Sequence, residues 1–411
     1  SIFTFGLIKL DSHTHKIVTK YDNSLLSKTK SILGQPNETL WLATENEGIC
    51  ILDVCNDKIS RISEDEGFST SKIQTFFQDI WGNIWIGTSG AGLVKKTNQL
   101  FKYYNMFDYG FGGNRVYAIA NDRNKKIWVA VNKDNIGYFE NQTLKKIYHD
   151  SLQIGVKIKT ITTDTSGKLW IGTEGKGVFS YEENGKVNIY NIGRNSLVSD
   201  WITHIVADAN NKIWIATQSS GIQCITTHND TSFQSITFNI QDGLPDRYIN
   251  SLAIDNVNKS VWFVCRNGKA GYIDNNFKVV VFDATNGLPE KPIKTITIDE
   301  NGNCFLGIPG KGVFVMSNET TSTKPKFIKI TVTDQQYSTN IYAMICDSKS
   351  NLWLGTENGA YKFVKDQKSN VFTDVIHFKK EDGFLGIENC HNSISKDEND
   401  NIWFGTMNGL V

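Results

Sequence analysis

The residues of this sequence best suited to chemistry are aromatic and charged side chains that fall in loops. Aromatic rings stack on the C–H faces of sugars, while Arg, Asp, Lys and His side chains bond hydroxyl and carboxylate groups. The histidines show no recurrent pairing with a carboxylate, which an acid–base or metal-assisted site would require. We therefore predict a ligand-binding site with no catalytic residue, metal or cofactor. Its predicted members are Arg115, Asp200, Trp201, Arg247, Tyr248, Lys291 and His391.

An internal repeat must position these residues. A five-residue core such as LWIGT or IWIAT, with an aromatic second residue, occurs nine times at intervals of 42 to 50 residues. An aspartate lies six residues before the aromatic in seven of the copies. Self-similarity at such a period indicates a repeat architecture. The aromatic residues of the nine cores are Trp41, Trp85, Trp128, Trp170, Trp214, Trp262, Phe305, Trp353 and Trp403.

Each repeat has the pattern of four short strands. A β-rich stretch ends in the aspartate, a polar turn such as DTSGK follows, and the core forms the second strand. Two further strands complete each unit of about 45 residues, which is the length of one propeller blade. The core is apolar on both faces, as expected when a sheet packs between two others. The sequence therefore predicts an all-β fold, a β-propeller of four-stranded antiparallel blades.

Two arrangements of the nine repeats fit the sequence. Residues 1–110 can be the terminal blades of a preceding propeller and residues 111–411 a propeller of seven repeats. Alternatively, all nine repeats close a single nine-bladed ring. In either ring, loops from an outer strand to the next inner strand share one face with the turns between second and third strands. The predicted site residues fall mainly in these loops, so we expect them to surround the axis on one face.

Composition excludes some partners. Lys+Arg and Asp+Glu are both 43, so the formal charge is zero and no basic surface favours nucleic acid. No apolar run reaches the roughly 18–20 residues that span a bilayer. Any membrane attachment is therefore expected through segments outside this chain.

The repeat pattern, D-x-x-G/N-x-hydrophobic-W-I-G-T-x-x-x-G-hydrophobic, strongly resembles the two-component regulator propeller repeat. Several copies are also preceded by a DGL-type sequence, as at Asp242-Gly243-Leu244. The resemblance implies the extracytoplasmic, periplasmic sensor region of a hybrid two-component histidine kinase from a Bacteroidetes bacterium. It further implies an oligosaccharide ligand, a kinase output outside the chain, and a homodimer formed through a C-terminal region that the chain does not contain.

Two other functions fit the same repeats. Relatives of the repeat occur in cell-surface components of secretion systems, so a non-catalytic interaction scaffold is one alternative. A propeller lyase or glycan-active enzyme is the other. A lyase of the streptogramin type would need histidine and a carboxylate placed over a metal at the axis.

Overall fold

The computed structural model divides into two compact units, Ser1–Leu100 and Phe101–Val411. Strands account for nearly all of the regular structure in both units. The residues that the structure describes are 7–21, 24–26, 28–34, 39–62, 72–79, 82–96, 101–133, 135–140, 143–147, 154–195, 197–227, 233–317, 325–332, 336–366 and 371–411.

The described part of the first unit has nine strands: β1 (Leu7–Leu10), β2 (Ile17–Tyr21), β3 (Thr29–Gly34), β4 (Thr39–Thr44), β5 (Ile49–Asp53), β6 (Lys58–Arg61), β7 (Ile73–Gln78), β8 (Ile84–Thr88) and β9 (Leu93–Lys96). Strands β1 and β2 pair with each other, β3 to β6 form a four-stranded sheet, and β7 to β9 form a three-stranded sheet. All pairs are antiparallel and follow chain order.

The described part of the second unit has seven sheets, numbered here in chain order. Sheet 1 contains β10 (Val116–Asn121), β11 (Ile127–Val131), β12 (Asn135–Glu140) and β13 (Thr143–Lys146). Sheet 2 contains β14 (Ile158–Thr163), β15 (Leu169–Thr173), β16 (Val178–Tyr181) and β17 (Val187–Tyr190). Sheet 3 contains β18 (Ile202–Ala207), β19 (Lys212–Thr217), β20 (Ile222–Thr227) and β21 (Phe233–Phe238). Sheet 4 contains β22 (Ile249–Asp255), β23 (Ser260–Cys265), β24 (Ala270–Ile273) and β25 (Val279–Phe282).

The remaining three sheets have the same plan. Sheet 5 contains β26 (Thr295–Ile298), β27 (Cys304–Ile308), β28 (Gly312–Ser317) and β29 (Lys326–Lys329). Sheet 6 contains β30 (Ile341–Cys346), β31 (Leu352–Thr356), β32 (Gly359–Lys365) and β33 (Phe372–Phe378). Sheet 7 contains β34 (Asn389–Lys396), β35 (Ile402–Thr406) and β36 (Gly409–Leu410).

Each sheet is antiparallel with its strands in chain order, and the repeated aromatic core is always the second strand. The predicted all-β fold of four-stranded blades is thereby confirmed. Helices in the described residues are short: α1 (Ile192–Asn195) and 3-10 turns at Ser24–Leu26, Met106–Tyr109, Ile240–Asp242, Ala284–Asn286 and Lys380–Asp382. Among those helices, none has the length and apolar character needed to cross a membrane.

Sheet 7 is completed by the segment that begins the second unit. Tyr104 and Leu410 exchange two backbone hydrogen bonds, of 2.8 and 3.1 Å. The ring of Phe101 packs against Phe378, with centroids 5.1 Å apart. This segment therefore lies where a fourth strand would, which is why the second unit starts at Phe101, before the boundary after residue 110 that we expected. Strand β34 also packs against both β30 and β10, so the contacts between sheets return from the last to the first.

The repeated aspartate accepts a hydrogen bond from the repeated tryptophan. In sheet 2, Asp164 Oδ2 lies 2.9 Å from Trp170 Nε1, and its Oδ1 accepts from the backbone N–H groups of Ser166 and Lys168. One carboxylate thus fixes the turn and the indole that follows it. The same Asp–Trp bond, of 2.9 to 3.2 Å, joins Asp79 to Trp85, Asp122 to Trp128, Asp208 to Trp214, Asp347 to Trp353 and Asp397 to Trp403.

Two repeats of the second unit lack this bond for different reasons. The turn of sheet 4 is one residue longer, so Asp255 binds the backbone at Val257, and the buried Trp262 Nε1 has no hydrogen-bond partner among the described residues. In sheet 5 the aromatic is Phe305, which has no donor. Here Asp299 forms an ion pair of 3.5 Å with Lys365 of sheet 6, whose side chain is 6% exposed.

Side chains also join the first strands of neighbouring sheets, because no backbone ladder connects them. The N–H of Ile205 donates to Thr160 Oγ1 at 3.3 Å, and the N–H of Leu252 donates to His204 Nδ1 at 3.1 Å. His204 therefore occupies in sheet 3 the position that Thr160 has in sheet 2. Its Nδ1 accepts, so the ring must be neutral there. Burial lowers the pKa of His204 to about 4.

We predict that Trp170→Phe destabilises the fold more than Trp262→Phe, by about 1–3 kcal/mol. Both changes remove the same atoms from a buried ring, but only the first leaves a buried carboxylate oxygen without its donor. Thermal and urea unfolding of the two variants measure the difference. Equal losses in the two variants would show that the Asp–indole bond adds nothing to stability.

We also predict that His204→Thr reduces the sensitivity of the fold to acid. The ordinary pKa of histidine is 6.5, so the neutral ring contributes fully above that pH, and its contribution falls as the pH drops from 6.5 towards 4. The side chain of His204 is only partly buried. We therefore expect this effect to lower the free energy of unfolding by about 1–2 kcal/mol at pH 5. The free energy of unfolding of wild type and of the variant is measured at pH 7.5 and at pH 5. Threonine is chosen because its hydroxyl can accept the hydrogen bond, as Thr160 does in sheet 2. An unchanged pH dependence would contradict the assignment.

Candidate ligand site at one mouth of the second unit

Backbone hydrogen bonds bring two kinds of loop together at one end of the sheets. The turn between the second and third strands of one sheet donates to the loop that precedes the next sheet. Gly177 N–H donates to Asp200 O at 3.0 Å, and Gly221 N–H donates to Arg247 O at 3.0 Å. The same kind of bond runs from Gly409 of sheet 7 to Asn114 before sheet 1. The loops that carry most predicted site residues therefore lie on one face of the second unit.

Trp201 presents an aromatic surface on this face. The residue is 51% exposed although its backbone is fixed by a bridge to Glu174 and a bond from Gln218 N–H. The indole lies against Gly175, where an added Cβ would approach Trp201 Cζ2 to 3.5 Å. One face of the ring is thus supported by backbone, and much of the side chain remains open to a ligand.

Tyr248 and Arg247 come from the next loop along the chain. Arg266 places its guanidinium 5.2 Å from the centre of the Tyr248 ring, a cation–π contact. Asp246 fixes this loop, because its Oδ2 accepts from Asn267 N–H at 3.0 Å. Arg247 holds the neighbouring turn through its carbonyl, while its side chain is exposed. The structure thus places an aromatic ring and two guanidinium-bearing residues around one loop.

Arg115 lies in a third loop, the one that precedes sheet 1. A hydrogen bond with Tyr117, followed by the charge of that phenol, raises the pKa of Arg115. Lys157 Nζ lies 4.3 Å from the centre of the Tyr117 ring. These contacts join the loop before sheet 1 to the loop before sheet 2.

The other predicted residues have more varied positions. Asp200 Oδ1 accepts from Ile192 N–H at 3.0 Å, so its carboxylate also holds the start of α1. The backbone of Lys291 packs against Gly268, and the residue is exposed. His391 lies deeper, within β34, and its Nε2 is 2.9 Å from Lys294 O. Burial and then the charge of Lys159 lower the pKa of His391 to about 3, so the ring is neutral.

The contact of His391 identifies residues around the axis that sequence reasoning missed, and we call the region that they surround the axial channel. His391 is on sheet 7 and Lys294 directly precedes sheet 5, so the contact passes sheet 6. The charges of Lys159 on sheet 2 and Lys294 also act on each other. Groups on sheets that are not neighbours can meet only across the axis.

A sequence signal for this channel was present. In several first strands a polar second residue lies between two buried apolar or small ones, as in Val116-Tyr117-Ala118 and Ile341-Tyr342-Ala343. The predicted site residues were all expected in loops, so the prediction did not include the strand residues below them. Lys159 and Lys294 occupy the same position in their repeats.

The mouth thus carries an exposed indole, a tyrosine ring and several cationic side chains. In the part of the chain that the structure describes, no group of three or more His, Cys, Asp or Glu side chains is arranged to hold a metal ion.

Comparisons with known proteins agree with the repeat pattern. The model of the family described as two component regulator propeller matches residues 67–90, 110–133 and 338–358, which contain the cores at Trp85, Trp128 and Trp353. No curated protein matches the sequence.

Several solved structures share the fold. One is the extracellular domain of BT3049 from B. thetaiotaomicron, assigned as a hybrid two component system, with 22% identity and a TM-score of 0.62 over 98% of this chain and 52% of that one. Another is the extracellular domain of BT4673 from the same organism, with 20% identity and a TM-score of 0.58 over 99% of this chain and 55% of that one. Virginiamycin B lyase from Staphylococcus aureus has 15% identity and a TM-score of 0.55 over 75% of this chain and 96% of the lyase.

The chain spans about half the length of the two B. thetaiotaomicron domains. At these identities the likeness concerns the fold. The family match rests on the repeats themselves, in both units of the structure. Three segments of the chain therefore match the two component regulator propeller repeat, as the resemblance of its sequence predicted.

Proposed function

We propose that this chain is part of the extracytoplasmic, periplasmic sensor region of a hybrid two-component system. In this proposal it binds an oligosaccharide, and a kinase outside the chain responds to the bound state. The observation that carries the proposal is the match of three repeats to the two component regulator propeller family. The likeness to extracellular domains over nearly the whole chain supports the same function.

The geometry of the mouth supports an oligosaccharide ligand. Sugars offer apolar C–H faces and polar edges, and they need aromatic platforms beside hydrogen-bonding groups. Trp201 offers an open ring, and Tyr248 offers a ring beside Arg266. Arg115 and Arg247 add exposed guanidinium groups from other loops.

We further propose that residues 101–411 form a complete seven-bladed propeller and that residues 1–100 belong to the end of a preceding one. Support comes from the pairing of Tyr104 with Leu410 and the packing of β34 on β10, which link the last sheet to the first. A homodimer through a C-terminal region outside this chain belongs to the same proposal.

The first test is a thermal-shift screen of the purified chain against oligosaccharide digests of different polysaccharides. A ligand that binds only the folded state stabilises it by about 2.7 kcal/mol at 100 times its Kd. We expect at least one oligosaccharide to raise the Tm without being cleaved. Cleavage would favour the glycan-active alternative. Capture of a protein partner, with no sugar bound, would favour the scaffold.

The second test uses the oligosaccharide found in that screen. Trp201→Ala and Arg247→Ala should each weaken binding by about 1–3 kcal/mol, because exposed aromatic and Arg anchors dominate binding energy. Both are surface residues, so the Tm of the free protein should change little. The control is Arg123→Ala, an exposed arginine at the opposite end of sheet 1, which should bind normally. Unchanged calorimetric affinity in both site variants would place the ligand elsewhere.

A further inference from the structure

Below the mouth, the axial channel gathers basic groups from separate sheets. Lys159 is the second residue of β14, between the buried Ile158 and Thr160. Lys294 directly precedes β26 and holds the imidazole of His391 through its carbonyl. The ammonium groups of Lys159 and Lys294 and the neutral imidazole of His391 thus come from three different sheets and lie at one level of the channel.

These cations are only partly neutralised. Lys159 Nζ lies 3.7 Å from Glu174 Oε1, and its side chain is 28% exposed. Lys157 rests on the Tyr117 ring. Among the described residues, neither Lys157 nor Lys294 forms an ion pair with an acid.

The nearby carboxylates Glu357 and Glu388 are both held by groups of sheet 6 or of the loop before it. Glu357 Oε1 accepts from Ser338 Oγ at 2.7 Å and from Asn340 Nδ2 at 3.3 Å. Glu388 is hydrogen-bonded to Tyr342. Glu357 and Glu388 therefore lie on the side of sheets 6 and 7. The cations lie on the side of sheets 1, 2 and 5, where Glu174 is the carboxylate beside Lys159.

The pKa values of two neighbouring groups are lowered by burial and by an excess of positive charge. Burial and then the charge of Lys157 lower the pKa of Lys159. The charges of Lys159 and Lys294 both act to lower the pKa of His391, after burial. An anion at this position would reverse both effects, because an opposite charge favours the protonated cation.

We propose that the channel at Lys159, Lys294 and His391 binds the anionic group of an acidic oligosaccharide, a uronate carboxylate or a sulfate. This inference rests on the proposed function and adds the charge class of its ligand. Lys159 lies two residues into the sheet, about 7 Å below the loop residue Lys157. A neutral sugar ring therefore stacks at the rim on Trp201, while a charged group reaches down to the lysines.

The test uses a pair of probes that differ in charge, tetragalacturonate and its methyl ester, together with inorganic sulfate. Calorimetry should show that tetragalacturonate or sulfate binds the wild-type chain and that added NaCl weakens this binding. Lys159→Met and Lys294→Met should each weaken binding of the acidic probe by about tenfold or more. Lys294 is exposed, so its variant folds even if the Lys159 variant does not. The matched control is Lys329→Met, an exposed lysine on the outer strand β29, which should bind normally.

The possible failures are separable. If the methyl ester binds as tightly as tetragalacturonate, or if neither tetragalacturonate nor sulfate binds, the anionic assignment is overturned. It is also overturned if both lysine variants bind like wild type. The sensing proposal survives these results as long as a neutral oligosaccharide stabilises the chain. It fails separately if no oligosaccharide of either charge raises the Tm.

Discussion

The hydrogen bond from the repeated tryptophan to the aspartate six residues before it underlies most of this architecture. A buried indole N–H needs an acceptor, and a buried carboxylate needs several donors. Asp164 meets both needs, because it accepts from the indole of Trp170 and from two backbone N–H groups of its turn. Each copy of this bond fixes the hairpin between the first and second strands, and so the register of a sheet. Where the aromatic is Phe305, which needs no acceptor, Asp299 pairs instead with Lys365 of the next sheet. Trp262 departs from this account, because its buried Nε1 has no hydrogen-bond partner among the described residues.

The sheets of the second unit have no backbone ladder between them, so side chains must join them. Thr160, His204 and Ser393 each bond to the first strand of the neighbouring sheet. These bonds occupy the positions that face the neighbouring sheets. Adjacent positions on the same strands, such as those of Lys159 and Tyr342, then face the axis. Residues that join the sheets therefore lie beside residues that face the axis. The residues that face the axis differ from sheet to sheet, and these differences do not affect the hairpins.

Much of the fold was predictable because each repeat carries its own turn and core signals. Nine aromatic cores gave the second strands, and the aspartates marked the turns before them. The bridge from Tyr104 to sheet 7 was not predictable, since Tyr104 and Leu410 lie at opposite ends of the second unit in the sequence. The loop residues of the site followed from the repeat frame. The channel did not, because facing the axis depends on how the sheets are arranged, and His391 was expected in a loop but lies inside β34.

We propose that this arrangement of sheets presents a ligand site on its axis, at the end where Trp201 and Tyr248 lie. The most direct measurement is an experimental structure of the chain with the oligosaccharide that stabilises it most. The account predicts a sugar at the mouth, with a ring stacked on Trp201 and contacts from loops of at least two sheets. A sugar bound between outer strands or on the first unit alone, with the mouth unoccupied, would contradict it.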